Sequence, residues 1–273
     1  ELAFLPRWET RELDLAAAYT QRMSEVGKKG YGMFAKHHVF TVENGQLVPV
    51  KYPDPQKLSE LPGYEKEREK VIANTRALLA GSPANNVLLY GDAGTGKSST
   101  VKAIANEYAA DGLRLVEVKK NQLYQIPDLM DQLAANPLKF ILFIDDLAFD
   151  QDDNTYSIMK TILEGGLERR PANVAIYATS NRRHLVRQSF SDRAGDEVDA
   201  FETISEKTAL AERFGLRIPY LTMSKADYLA LVDHLAARAG GAMSAELLHA
   251  QAMTWEIRHA GRTPRVARPF IAS

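Results

Sequence analysis

The stretch from Asn86 to Thr100, NVLLYGDAGTGKSST, limits what this chain can fold into more than any other. Val87–Tyr90 reads as a short buried strand, and Gly91, Gly96, Lys97 and Ser98 follow at the spacing G-x-x-x-x-G-K-[ST], between that strand and a helix. Glycines let successive backbone N–H groups turn inward around an anion, and the helix that follows adds the positive end of its dipole. In such a loop Lys97 reaches the β- and γ-phosphates of a nucleotide while the Ser98 oxygen ligates Mg²⁺. Gly91, Asp92, Ala93, Gly94, Thr95, Gly96, Lys97, Ser98 and Ser99 are therefore the candidate contacts to ATP or ADP. The competing reading is an ordinary glycine-rich turn between a strand and a helix.

Around this loop strands and helices alternate. Runs rich in β-formers at Val87–Tyr90, Leu113–Val118, Phe140–Ile144, Val174–Ala178 and Leu216–Leu221 are mostly separated by helical patterns, which favours a parallel sheet covered on both faces. Past Thr222 the strand signal stops. Ser224 with Asp227 opens one helix in the manner of a capping box, Ser244 opens another, and Thr263-Pro264 a third. Residues 223–273 thus read as a small helical domain and residues 53–222 as an α/β core. Residues 1–52 read as an appendage, with a loose helix over Leu13–Val26 and a hairpin turning at Asn44-Gly45. A further amphipathic helix is expected over Leu61–Ala80, stopped by Gly81.

Composition narrows the class. With 273 residues, 45% hydrophobic and 25% charged, the chain can bury one substantial core beside a smaller unit. A formal charge of −1 argues against attachment to nucleic acid through bulk electrostatics and leaves a local basic groove open. The absence of cysteine excludes a disulfide framework or a thiolate metal site and suits the reducing cytoplasm. No apolar run approaches the ~18 residues of a membrane span and no signal-like pattern opens the chain, so no membrane partner is expected. The chain begins without Met, as a trimmed one would.

Two further strand ends carry chemistry. FILFIDD places Asp145 and Asp146 behind five apolar residues, at the carboxyl end of a strand where they would lie beside the phosphate loop. This is Walker B geometry: Asp145 would hold Mg²⁺ with Ser98 and water, and Asp146 would orient or deprotonate the attacking water. The alternative is a polar strand end that caps the next turn. VAIYATSN ends the following strand in Ser180 and Asn181, and the Asn181 amide would hydrogen-bond the γ-phosphate or the lytic water, although Asn is also a routine turn residue.

Phosphate loop, Walker B and sensor 1 in this order resemble the AAA+ ATPase superfamily. The phrases NNVLLYGDAGTGKSS, FILFIDDLAF, LEGGLERRP and YATSNRRHL most resemble the bacterial predicted ATPases grouped as domain of unknown function 815, over about Val48 to Ile271. The resemblance implies an αβα core with a five-stranded parallel sheet of order 5-1-4-3-2 and a C-terminal helical lid. It implies ATP hydrolysis with Mg²⁺ in a homo-oligomer, a hexamer among the forms open to it, acting on a macromolecular partner, protein or nucleic acid. It brings no known substrate.

The resemblance also assigns residues. Arg213 in LAERFGL matches the arginine finger that enters a neighbour's site, though a cation in a last helical turn also complements the helix dipole. Arg265 in GRTPRVARPF resembles sensor 2 of AAA+ lids, notably that of Holliday-junction branch-migration motors. Thr263 reads as N-cap and Pro264 as first helical residue, so Arg265 falls in a first turn where the dipole disfavours a cation unless a phosphate compensates. Arg268 is the substitute, and a solvated basic face the plainer alternative. Gly63 and Tyr64 in LPGYEKE resemble the segment that lines the base, or form only a helix start.

The chain departs from many AAA+ motors in having Asp146 where they have Glu, a side chain shorter by one methylene, which implies closer water or slower turnover. Two other functional classes stay open. One is a nucleotide-gated binding or assembly module with little turnover, and the other a nucleic-acid-associated motor or loader. Tyr124 lies where unfolding members carry a pore loop, but without the usual aromatic-apolar-Gly phrase it reads as a loop or core tyrosine. Arg182, Arg183, Arg187 and Arg193, mixed with Asp192, Asp196 and Glu197, read as a solvated surface or a phosphate- or subunit-contacting loop. Asp150, Asp152 and Asp153 read as the approach to a helix starting near Asn154. His37 and His38 have no partners at metal spacing, so no metal beyond nucleotide-bound Mg²⁺ is expected.

Overall fold

The computed structural model describes residues 14–148, 155–164, 170–181, 210–240, 243–259 and 261–273. Its centre is a single sheet. β1 (Val39–Glu43) and β2 (Gln46–Pro49) form the N-terminal hairpin; β3 (Val87–Gly91), β4 (Leu113–Glu117), β5 (Lys139–Ile144), β6 (Val174–Ser180) and β7 (Leu216–Tyr220) match the five strands read from the sequence. The order is β2-β1-β4-β5-β6-β3-β7, and only β1 and β2 are antiparallel neighbours. Counting strands from β3, the parallel part reads 5-1-4-3-2 from the β7 edge.

The expected count of five strands is corrected to seven. Val39, Phe40 and Thr41 pair with Leu115, Val116 and Glu117 along what would otherwise be the open edge of β4. An uncovered apolar edge invites intermolecular pairing, and the hairpin removes it while burying Phe40 and Val42. The turn is set as expected: Asn44 and Gly45 both have positive φ, 50° and 76°.

Each central strand feeds two cores by period-two alternation. Val87 and Leu89 of β3 enter one and Leu88 the other; Ile141 and Phe143 of β5 enter the first, Leu142 and Ile144 the second. This double burial is why the strands read as unbroken apolar runs. Against the first face lie α2 (Glu65–Leu79) and α3 (Lys97–Glu107), through Val71, Leu78, Val101 and Ile104. Against the second lie α4 (Ile126–Ala134) and α5 (Thr155–Glu164), through Leu129, Leu133 and Met159. Burying each such side chain contributes about 1.5–3 kcal/mol.

Helix α2 begins four residues later than the sequence pattern predicts. Gly63 and Tyr64 both adopt left-handed backbone, φ 73° and 58°, which no helix can contain. In the appendage, α1 (Leu15–Lys29) is capped by Asp14, whose carboxylate accepts from the Ala17 N–H at 2.9 Å, and is stopped by Gly30 at φ 67°. None of its residues is buried. The chain that follows is anchored by buried Arg114 of β4, which donates to the carbonyls of Phe34, Ala109 and Leu113 at 2.8–2.9 Å.

Three helices close the chain: α6 (Lys225–Ala239), α7 (Ala245–Arg258) and α8 (Pro264–Ala272). Ser224 caps α6 by accepting from the Asp227 N–H at 3.1 Å. Met223, Tyr228, Leu231, Val232, Leu248, Ala252 and Ala267 form a separate small core, with Tyr64 packed against it. This is the helical lid. Among the described residues no helix is long and apolar enough to cross a membrane.

Candidate nucleotide site

The loop after β3 is built to be approached closely. A side chain at Gly91, φ 128°, would run into the Tyr220 backbone of β7, and the Asp92 N–H donates to the Tyr220 carbonyl at 3.0 Å. At Gly94, φ 79°, an added Cβ would press on Arg265 Cβ at 3.0 Å and Thr263 Oγ1 at 3.2 Å. Gly96, φ 93°, turns the chain into α3, whose first residue is Lys97. Lys97 is 5% exposed, and its ammonium donates to the carbonyls of Asp92 at 2.6 Å and Gly91 at 3.2 Å. Burial pulls it below the ordinary lysine value, while Asp92, Asp146 and Asp145 act in the opposite direction.

Facing the loop is a hydrogen-bonded chain of polar groups at the ends of β5 and β6. Ser98 Oγ donates to Asp145 Oδ1 at 2.6 Å, and Thr179 Oγ1 donates to the same oxygen at 2.6 Å. The Thr179 hydroxyl also accepts from the Asp146 N–H at 2.9 Å, fixing Asp146 in left-handed backbone at φ 53°. Asn181 Nδ2 then donates to Asp146 Oδ1 at 2.8 Å. The sheet therefore brings Asn181 alongside Asp146 and Ser98 alongside Asp145. A non-glycine residue in left-handed backbone costs about 1–3 kcal/mol, and such strain gathers at functional sites.

Loop and acids line a cleft of about 540 Å³ that includes Ala93 to Thr100, Asp145, Asp146 and Asn181. The lid contributes Pro264, Arg265, Arg268 and Pro269, the segment before α2 contributes Leu61 and Pro62, and the first turn of α2 contributes Arg68. Arg265 is the second residue of α8; its N–H donates to the Gly94 carbonyl at 3.3 Å, and its guanidinium has no hydrogen-bond partner among the described residues. Arg268 Nη2 instead donates to the Glu60 carbonyl at 2.9 Å. Thr263 takes the N-cap backbone conformation expected of it, but its hydroxyl makes no capping bond and lies by Gly94.

A second cavity of about 850 Å³ adjoins the cleft and shares Leu61, Pro62 and Arg68 with it. Gly63 and Tyr64 line this second cavity and not the first. The Tyr64 ring stacks on Tyr220, centroids 5.0 Å apart, and its hydroxyl donates to the Leu221 carbonyl at 2.6 Å. Burial, and then the Asp92 charge, push that hydroxyl above the ordinary tyrosine value. Arg213 is outside both cavities. Its guanidinium pairs with Glu164, the last residue of α5, and Nη1 is buried with no partner among the described residues.

Sequence reasoning missed Thr179, which links both acids, and Arg68. For Thr179 the sequence held no sufficient signal: only the register of β5 on β6, which pairs Ile144 with Ala178, puts its hydroxyl one step further on opposite Asp145. Tyr124 is 61% exposed on a short turn after β4, which settles it as a loop and not a core tyrosine. His38 bonds Asn106 at 2.9 Å, and no cluster of three or more metal-ligating side chains occurs among the described residues. The arginines at 182, 183, 187 and 193, the acids at 192, 196 and 197, and residues 150, 152, 153 and 154 lie outside the described residues.

The donor set suits Mg²⁺. Ser98 Oγ and Asp145 Oδ1, two hard oxygens 2.6 Å apart at the cleft wall, suit an ion that takes one or two protein oxygens and completes its octahedron with water and phosphate.

Comparison with known proteins places these features in context. The family model described as "Protein of unknown function (DUF815)" matches residues 34–273. The replication factor C large subunit of Thermococcus kodakarensis is 44% identical over 63 residues, covering 22% of this chain and 13% of that protein. That of Staphylothermus marinus is 35% identical over 81 residues, covering 29% and 18%. The chain thus spans less than a fifth of either relative's length. Among solved structures, the Thermotoga maritima RuvB Holliday junction branch migration motor aligns with a TM-score of 0.48 at 16% identity, over 80% of this chain and 63% of that one.

Proposed function

We propose that this chain, which belongs to the family described as protein of unknown function (DUF815), binds ATP with Mg²⁺ and hydrolyses it within a homo-oligomer to change the conformation of a macromolecular partner. One observation carries the reading: the bonded series Ser98, Asp145, Thr179, Asp146 and Asn181 faces a glycine loop with Lys97 at its root. A structural turn would not require two acids held by three separate donors beside an anion cradle. The base would enter the adjoining cavity at Gly63 and Tyr64, beyond Leu61 and Pro62.

In this reading the loop amides and Lys97 hold the β- and γ-phosphates, and Ser98 with Asp145 hold Mg²⁺, which neutralises phosphate charge when bound. Asp146, aimed by the Thr179 hydroxyl and the Asn181 amide, orients the attacking water and accepts its proton. Arg265 reaches the phosphates from the lid. Arg213 serves a neighbouring copy's cleft.

The test is direct. Lys97→Ala should abolish ATP binding in calorimetry, whereas Asp146→Asn should bind ATP and turn it over at least tenfold more slowly. Unchanged turnover in Asp146→Asn would remove its assigned role. Mixing Lys97→Ala chains with Arg213→Ala chains should restore part of the activity each lacks alone if the finger acts between copies.

The pairing of Arg213 with Glu164 inside its own chain favours a second reading, in which nucleotide governs assembly and turnover is incidental. Oligomer size measured with ATP, with ADP and without nucleotide separates the two. The likeness to a replication factor subunit makes DNA the first polymer to try. Turnover stimulated by DNA and lost with added salt would favour a nucleic-acid motor, and indifference would count against it.

A further inference from the structure

Asp92 is an anomaly in a phosphate cradle. The loop must wrap a polyanion, yet the residue after Gly91 carries a carboxylate, which at that position would repel the ligand. The structure resolves the conflict by turning the side chain away, and Asp92 does not line the cleft. Its Oδ2 accepts two hydrogen bonds from one residue, the Thr222 N–H at 2.7 Å and the Thr222 hydroxyl at 2.8 Å. Thr222 stands between β7 and the lid.

The residues around Thr222 are held as well. The Leu221 carbonyl accepts from Tyr64, and the Met223 N–H donates to the Arg262 carbonyl at 3.0 Å within the lid. Two residues beyond Asp92, the Gly94 carbonyl takes the Arg265 N–H. The loop thus meets the lid at two places, the connection after β7 and the start of α8, and Arg265 in the first turn of α8 lines the cleft. The Asp92 carbonyl is itself one of the two that hold Lys97. A phosphate that draws Lys97 inward therefore takes a donor from the same residue whose side chain holds the hinge.

We propose that Asp92 is a positioning residue that couples the phosphate loop to the lid through Thr222, so that Arg265 contributes to nucleotide binding only while this link is intact. The inference rests on the ATP-binding reading above.

A double-mutant cycle on ATP affinity tests it in the full chain. Arg265→Ala alone should weaken ATP binding about tenfold, the loss of one charge-assisted hydrogen bond. In an Asp92→Ala background the same substitution should change affinity less than twofold, because the arginine is no longer aimed. Thr222→Val removes the hydroxyl donor from outside the loop and should reduce the Arg265→Ala effect in the same direction. Asp92→Asn, which keeps an acceptor of the same shape, should restore most of it. A full tenfold effect of Arg265→Ala in both the Asp92→Ala and Thr222→Val backgrounds would overturn the coupling while leaving the nucleotide site standing. Failure of the unmodified chain to bind ATP would overturn both together.

Discussion

Replacing Thr179 by Val isolates the one group that joins the two acids. The change keeps side-chain shape and removes the hydroxyl of a residue that is 2% exposed, with Asp145 Oδ1 at 2.6 Å and the Asp146 N–H at 2.9 Å. A hydrogen bond to a charged acceptor is worth about 1.5–3 kcal/mol, and a buried N–H left without a partner costs about 1–3 kcal/mol. The two losses share one hydroxyl and do not simply add, so the expected destabilisation is about 2–4 kcal/mol. For a chain of this size that lowers Tm by roughly 4–8 °C. Guanidinium unfolding should show the midpoint falling at constant slope. The Asp146 turn, at φ 53°, loses its anchor in the same variant, so ATP turnover should fall by more than tenfold while Thr179→Ser stays near the parent in both measurements. A Val variant with an unshifted midpoint and full turnover would refute the idea that this hydroxyl holds both acids.

Other perturbations address different parts of the molecule. Arg114→Ala removes a buried cation bonded to four backbone carbonyls, Lys29, Phe34, Ala109 and Leu113, and should destabilise the chain by about 3–5 kcal/mol; limited proteolysis should then cut residues 14–36 first, and preferential cutting elsewhere would contradict the anchoring role. Gly91→Ala places a Cβ against the Tyr220 backbone at φ 128°, a cost of about 2–4 kcal/mol, and should abolish thermal stabilisation by ATP. Burial pushes the Tyr220 hydroxyl up to about 12, so the folded chain holds a proton that the unfolded chain releases near pH 10. Stability from this group is complete below pH 10 and declines by about 1.4 kcal/mol per pH unit as pH rises toward the folded value. Tyr220→Phe should flatten that decline in pH-dependent unfolding.

The part of the site that lies on single strands and loops was legible because local pattern and chemistry coincide there. Gly91 to Ser98 has a spacing with one common physical use, and Asp145-Asp146 follows an apolar run that must be a central strand. Thr179 was not legible as a partner of Asp145 until the register of β5 on β6 was known, since nothing in ATSN distinguishes the first hydroxyl from the second. The hairpin's own turn was visible at Asn44-Gly45, but its pairing with β4 joins residues 76 positions apart, Val39 with Leu115, and period-two alternation does not say which edge a strand joins. Helix α2 was placed too early for a related reason. Leu61 continues the helical apolar pattern, yet it is used to line the cleft, and the left-handed pair Gly63-Tyr64 separates it from the helix.

The charges of the cleft explain why Arg213 stands apart from it. Lys97, Arg68, Arg265 and Arg268 line the cavity against Asp145 and Asp146, a surplus of about two positive charges. That surplus roughly matches in magnitude the net charge of a magnesium-bound triphosphate, so under the proposed function a single copy would neutralise the ground state. The transition state asks for more, because charge spreads over the equatorial oxygens of the transferred phosphoryl group, and stabilising it needs a cation that does not already neutralise the bound substrate. Under the proposed function Arg213, paired with Glu164 outside the cleft, would serve a second molecule's cleft once that pair is displaced. On that reading binding would be a property of one chain and turnover a property of its assembly. ATP affinity should be independent of protein concentration, while turnover per chain should rise with concentration and reach a plateau as oligomers form. Arg213→Ala should lose the rise and keep the affinity. Turnover per chain that is constant at dilutions where only monomer is present would refute the separation, and place every catalytic cation within one copy.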